Sequence, residues 1–335
     1  MPQAEIKFFE RKFPSCNMVL VLDERPIVVD AGFGSDALLT KQLLEPYVNP
    51  ADISMIVNTH YHTDHSGGNH FFQQHYGTKI AAHKWDAKMI NAFDFESGAS
   101  DYLDQKLEPY HVDVLLDDGD EVDTGEKKFL VFHIPGHTLG HIALYEPTDQ
   151  VLIVGDLFHR DDVGWLNIFR EGVGAIHRSI ESIERLTKLP VKIAYSGHGP
   201  EIRNPKQSME RAIERFNRWI ENPESIGWHG LKRIFAYKLM LIDGMDKKDI
   251  PQYLLSSSWF IDISKHLFRK NPEQFITPFL NEMIRSKAAT WHGSVLKATA
   301  PYIAPDQKWI DEDVKPIDWS DKRHGGKKRG EWNED

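Results

Sequence analysis

The sequence predicts an α+β chain in which sheets carry helices on their outer faces, followed by a smaller and mostly helical part. Three observations support this. Short β-prone runs and amphipathic helical runs follow one another in two successive series up to about residue 200. From Pro205 onward helical spacing replaces the strand pattern. The 335 residues also exceed the common domain size, so one large domain and a smaller one are expected, with 41% hydrophobic residues to fill their cores.

Taken in order, residues 5–9, 18–23 and 26–30 read as strands, the last two joined by the turn Glu24-Arg25-Pro26. Gly32-Phe33-Gly34-Ser35-Asp36-Ala37 then leads into a helix over 36–44. This string imitates a dinucleotide fingerprint, but the next strand, over 53–59, ends in Thr59-His60 and not in the acidic residue that would hold a ribose. The glycines are read instead as permitting a tight strand-to-helix turn. After Gly67-Gly68 a helix is expected over 69–76, a strand over 79–82 and a polar helix over 85–95. Residues 96–120 read as loop, with Gly98-Ala99-Ser100 and the turn Asp117-Asp118-Gly119-Asp120. Strands over 128–134, 141–145 and 151–154 follow. Ile176, Ile180, Ile183 and Leu186 mark a helix over 174–186, and a strand over 191–195 runs into Ser196-Gly197-His198. Helices are then expected over 206–220, 231–242, 248–255, 259–268 and 272–286, with a hairpin over 289–298 that turns at Gly293. The charged last thirty residues read as an extended or disordered tail, in which Trp309 and Trp319 are points that can pack down.

Composition narrows the function classes. The net charge of −10 is unevenly spread: residues 1–200 carry 17 Lys and Arg against 30 Asp and Glu, and residues 201–335 carry 23 against 20. Neither part is basic enough to announce a nucleic-acid partner. The single cysteine, Cys16, excludes an intrachain disulfide and any multi-cysteine zinc site. No apolar signal region follows Met1 and no run reaches the length of a membrane span, so a soluble cytoplasmic protein without a membrane partner is expected.

The stretch with the densest chemistry is Thr59 to Gly68, T-H-Y-H-T-D-H-S-G-G. His60, His62, Asp64 and His65 supply three imidazoles and a carboxylate within six residues. His137, Asp156 and His198 each follow a β run and a glycine, so four strand ends present seven ligand-type side chains, enough for two cations. In His-x-His the two rings project to one side of an extended segment. With His137 they form a three-histidine set that leaves a fourth position for water, as catalytic zinc requires. Asp64, His65 and His198 offer a mixed oxygen and nitrogen set for a second ion, and Asp156 is placed to bridge the two.

These residues resemble the signature of the metallo-β-lactamase superfamily: H-x-H-x-D-H followed by a His, an Asp and a last His, over about residues 15–222. The resemblance implies a four-layer αββα sandwich with a dinuclear centre at one edge of its two sheets. It also implies the ligand roles just given. Asp30, in Val28-Val29-Asp30-Ala31-Gly32, looks like the family's D-x-G residue that fixes a ligand loop, and His141 could support the ligands or be purely structural. Departures from subfamilies are informative. Asp156 argues against antibiotic hydrolysis, since true β-lactamases usually lack the bridging Asp. His62 argues against oxygen reduction by diiron flavoprotein relatives, which carry Glu there. The 41 residues between Asp156 and His198 leave no room for the inserted domain of RNA-processing members. Acyl-homoserine lactonases place a tyrosine where this chain has His159. The resulting expectation is a catalytic domain over 1–222, a helical and winged-helix-like domain over 223–303, and a charged tail over 304–335.

The expected chemistry is attack by a hydroxide shared between two divalent ions on the carbonyl of an ester, thioester or lactone, with resemblance to the glyoxalase II-like branch. Asp64 and Asp156 would hold that hydroxide by hydrogen bonds. Zinc is preferred, and manganese or iron also suit the donors. The partner is a small-molecule substrate. A phosphodiesterase acting on nucleic acid is the main rival, with the C-terminal part as its binding module. A mononuclear iron persulfide dioxygenase and a metal-binding regulator without chemistry are further ones. The C-terminal helices otherwise read as a cap on the substrate entrance or as the contact of a homodimer.

Overall fold

The computed structural model describes residues 4–92 and 99–311. Its first sheet holds six strands in chain order: β1 (Glu5–Phe9), β2 (Met18–Leu22), β3 (Ile27–Val29), β4 (Met55–Val57), β5 (Lys79–His83) and β6 (Val114–Leu116). β1 to β3 form an antiparallel meander, and β3 to β6 run parallel. Their connections carry α1 (Ala37–Leu44), α2 (Thr63–Ser66), α3 (Asn69–Tyr76), α4 (Lys84–Asn91) and α5 (Ser100–Leu103). The second sheet comprises β7 (Glu121–Asp123), β8 (Lys128–His133), β9 (Ile142–Glu146), β10 (Val151–Gly155) and β11 (Ile193–Ser196), in the order β11-β10-β9-β8-β7. Only β10 and β11 are parallel in it, and α6 (Ala175–Leu186) makes their crossover.

The period of two along each strand builds the layers. Val19, Val21, Val29 and Val57 meet Phe129, Val131, Leu144 and Ile153 between the sheets. Their neighbours Met18, Leu20, Val28 and Ile56 point the other way, onto Leu44, Phe72 and Ile90. On the far side Leu152 and Val154 face Ile183 and Leu186 of α6 and Met209 and Phe216 of α7 (Pro205–Glu221). Strands buried on both faces explain all-apolar runs such as Met18–Leu22. The chain is thus the expected four-layer αββα sandwich.

The C-terminal elements are α8 (Glu224–Leu241), β12 (Met245–Asp246), α9 (Ile250–Ser256), α10 (Ser258–Asp262) running into a π turn, α11 (Pro272–Arg285), β13 (Ala289–His292), β14 (Val295–Ala298) and α12 (Gln307–Asp311). A small antiparallel sheet, β12-β14-β13, closes this part. Leu231, Phe235, Trp259, Phe260 and Phe279 form its buried core. Tyr61, Tyr102 and Leu103, from the first series of elements, belong to that same cluster. Among the described residues no helix is long and apolar enough to cross a membrane.

Three expectations need correction. The presumed loop over 96–120 contains α5 and the edge strand β6, and β7 follows at 121; each strand is three residues long, too short to show a period against the flanking aspartates. The helix expected over 231–242 begins already at Glu224. The helix expected over 85–95 ends at Asn91. Its residues 93–95, Gly98 and the tail from 312, Trp319 included, lie outside the described residues. Trp309 does pack down, with its ring 5.5 Å from that of Phe33.

Candidate metal centre

Four loops reach one edge of the sandwich. They follow β4, β8, β10 and β11, and they carry respectively His60 to His65, His137, Asp156 and His198. A clamp from the β1–β2 connection holds two of them. Asn17 Nδ2 donates to Ser196 O at 2.9 Å and to Gly199 O at 2.7 Å, and Cys16 N donates to Asp64 O at 3.0 Å. Close packing also demands glycine here: a Cβ on Gly197 would lie 2.1 Å from Asp156 Oδ1 and 2.6 Å from His65 Cε1.

His60, His62 and His137 turn three nitrogens toward one point. His60 Nε2 and His62 Nδ1 are 3.0 Å apart, and His137 Nε2 lies 2.9 Å from His62 Nδ1 and 3.2 Å from His60 Nε2. The other nitrogens of His60 and His137 are committed elsewhere. His137 Nδ1 donates to Trp165 O at 2.7 Å. His60 Nδ1 lies 3.1 Å from Thr59 Oγ1, whose own proton goes to Asp30 Oδ2 at 2.8 Å. His60 and His137 therefore present lone pairs to the shared point. Burial, then the neighbouring imidazoles, hold the pKa values of His60 and His62 well below the ordinary histidine range, and burial lowers that of His137 as well. Three imidazoles facing one another with lowered pKa values are a donor set suited to a cation.

Asp64, His65 and His198 form the second group. His198 Nε2 lies 3.0 Å from Asp64 Oδ2, and His65 Nε2 lies 3.7 Å from the same oxygen. Burial opposes protonation of His65, yet Cys16, Asp30, Asp64 and Asp156 raise its pKa well above the usual value. His198 is likewise raised, by Asp156 and Asp64 against burial. This group draws positive charge into the place a cation would take.

Asp156 stands between the two groups. Its Oδ2 is 3.9 Å from His137 Nε2 and 3.6 Å from His198 Nε2, and its Oδ1 is 3.4 Å from His65 Nε2. Asp156 Oδ1 and His65 Nε2 are buried without a hydrogen-bond partner. Burial raises the Asp156 pKa, but His198 and His65 outweigh it and hold the carboxylate well below its usual range. Orphaned buried donor atoms, two triplets within ligand reach of one another and a carboxylate between them fit two cations.

Of the supporting residues, Asp30 takes the contact expected of it, with Oδ2 2.8 Å from His65 Nδ1 and Oδ1 accepting from Thr59 N at 2.8 Å. His141 Nε2 accepts from Asp156 N at 3.3 Å. His159 borders the cavity above the donors, its ring 5.7 Å from that of His198. Sequence reasoning missed Trp165, Phe13 and Glu171. The Trp165 ring is stacked on His62 and Phe13 on His198, at 6.0 and 4.8 Å between centroids. Tyr61 donates to Glu171 Oε1 at 2.8 Å. All three lie in connecting segments where no spacing signals a contact. The cavity, about 620 Å³, opens over His62, Asp64, Asp156 and His198 and is closed on its far side by α8 and the turn after α11.

Two facing sheets with helices outside and a histidine–aspartate cluster at one edge define an αββα protein with a candidate metal centre. The chain belongs to the metallo-beta-lactamase superfamily, whose sequence model matches residues 11–198. It is 29% identical over 174 residues to a hydroxyacylglutathione hydrolase of Maricaulis maris, a segment that makes up 49% of this chain and 57% of that protein. It is 28% identical over 191 residues to the human acyl-coenzyme A thioesterase MBLAC2, covering 48% of this chain and 66% of that one. The chain thus spans less than two thirds of either relative. Its fold is that of the metallo-beta-lactamase family protein TTHA1429 from Thermus thermophilus, with a TM-score of 0.57 at 20% identity, covering 89% of this chain and 99% of the other.

Proposed function

We propose that this chain is a dinuclear metal-dependent hydrolase of small-molecule thioesters, with esters and lactones as the neighbouring substrate classes. The observation that carries this reading is the position of Asp156, within 4 Å of a histidine of each donor triplet. His60, His62 and His137 would hold one ion, Asp64, His65 and His198 the other, and Asp156 both; the nitrogen-rich donors favour zinc over manganese or iron. When bound, such a pair supplies Lewis acidity at a carbonyl oxygen and a water acidic enough to serve as nucleophile at neutral pH. The chain's own groups do the positioning. Asp64 and Asp156 border the cavity and can accept a hydrogen bond from the attacking water. Trp165 holds His137 by its carbonyl and covers His62 with its ring. The names of the two sequence relatives, both thioester hydrolases, favour thioesters among the three carbonyl classes.

In this reading residues 1–222 carry the donors, residues 223–303 the cap, and the role of the segment from 304 is left to the tail's own chemistry. The small sheet β12-β14-β13, with β12 directly after α8 and the hairpin β13–β14 after α11, supports a winged-helix-like topology. The charge of its α11 argues against that helix as a nucleic-acid reader. α11 carries Glu273, Glu282 and a single Arg285, and the base of its hairpin borders the cavity. The persulfide dioxygenase reading leaves His198 without a metal, whereas its Nε2 sits 3.0 Å from Asp64.

The test is metal analysis of the purified protein together with turnover of a panel of thioesters, esters, lactones and bis-p-nitrophenyl phosphate. Two zinc ions per chain and fastest turnover of thioesters are expected. One iron per chain, or turnover of the phosphodiester alone, would overturn the reading.

A further inference from the structure

The cavity has two chemically different sides. One carries the donors; the other carries Lys232 and Arg233 of α8 and Lys287 of the turn after α11. Carboxylates on this second side do not cancel its charge. Asp162 is shared by Arg233, which contacts its Oδ2, and by Arg215, whose Nη1 lies 2.9 Å from Oδ1. Glu282 is likewise shared, by Lys232 at 3.6 Å and Arg285 at 2.7 Å. Lys287 forms no ion pair among the described residues. Of the residues that line this side, three are cationic (Lys232, Arg233, Lys287) and one is a carboxylate (Asp162).

Such an excess in a concave wall attracts anions, because low-dielectric walls focus the field into the cavity. The opposite side offers no compensation once its aspartates are engaged by cations, so the whole cavity selects against a cationic ligand and for an anionic one. Arginine and lysine donors at the wall also suit oxyanions chemically: both carboxylate and phosphate accept charge-assisted hydrogen bonds from them.

We propose that Lys232, Arg233 and Lys287 form an anion subsite that holds the negatively charged thiol half of an acyl thioester while its carbonyl faces the donor cluster. This deepens the hydrolase reading and rests on it. The anion is a carboxylate, as in a peptide thiol, or a phosphate, as in a nucleotide-bearing thiol; the shared feature is an oxyanion remote from the scissile carbonyl.

The experiment uses the zinc-loaded full chain and thioesters of one acyl group with three thiol halves: glutathione, coenzyme A and the uncharged N-acetylcysteamine. Lys287→Glu is expected to raise the ratio of KM for the charged substrate to KM for the uncharged one by roughly five- to tenfold, an effect that shrinks in high salt. Whichever charged thioester shows the shift identifies carboxylate or phosphate. An unchanged ratio for both would overturn the proposal while leaving the hydrolase reading in place. Calorimetric binding of S-hexylglutathione and of an S-alkyl coenzyme A thioether to wild type and to Lys287→Glu decides the subsite without turnover. Weaker binding to the variant of at least one supports it, and equal binding of both refutes it. Absence of any thioester turnover by the wild type counts against the hydrolase reading alone.

Discussion

Asp30 and His65 meet through a buried contact of 2.8 Å between Oδ2 and Nδ1, and Asp30 holds it from a left-handed backbone conformation with φ of 60°. Aspartate tolerates that conformation better than most residues. The contact fixes the His65 tautomer and turns Nε2 toward Asp64 and Asp156. Asp30→Asn replaces an acceptor by an amide and is expected to weaken zinc binding at the second group by about 10- to 100-fold. Chelator-competition titration would show this as one weakened and one retained zinc.

Asp156→Ala removes the carboxylate that, alone among the described residues, lies within 4 Å of a histidine of each triplet, His137 and His198. The bound metal should fall below two per chain, and kcat/KM should drop by more than about 100-fold, beyond what supporting residues cost. Elemental analysis and thioester kinetics on the same preparation test this; two retained zinc ions would contradict it.

Gly197→Ala places a methyl group 2.1 Å from Asp156 Oδ1. Overpacking of this kind costs about 1–3 kcal/mol. The expected signature is a lowered Tm that zinc no longer raises, since the added carbon displaces donors rather than loosening the fold at large. A Tm gain with zinc equal to that of the wild type would sink this account.

His229 is buried beside Arg215 and Lys232, and burial followed by those two charges pushes its pKa down from 6.5 to about 3. On acidification the unfolded chain therefore takes up this proton first. Stability from this residue is complete above about pH 6.5 and is lost as pH falls toward 3, with a slope of up to about 1.4 kcal/mol per pH unit. Urea denaturation at a series of pH values should give a shallower slope for His229→Gln. Parallel slopes would show that the proton is bound elsewhere.

Much of the fold and of the donor set was legible because both rest on local signals. Runs such as Met18–Leu22 and Val151–Gly155 announce doubly buried strands, and the glycine turns that follow strands announce where His137, Asp156 and His198 emerge. What stayed illegible depends on contacts distant in sequence. Trp165 acts through a backbone carbonyl, which no side-chain pattern encodes. The cationic wall requires α8 to lie across the cavity, and helix succession alone does not say what a helix covers. β6 and β7 are three residues each and are held in place by their neighbours more than by their own propensity.

Tyr61 lies between His60 and His62 in the chain, yet its ring is part of the apolar cluster of Trp259 and Phe279. Local opening of α8 to α11 and release of the donor loop are for that reason expected to be coupled. A cation bound by the donors stabilises the closed state by mass action. Zinc loading is thus expected to slow amide exchange in α9 and α11, helices that supply no ligand, and the C-terminal elements become a reporter of metal occupancy.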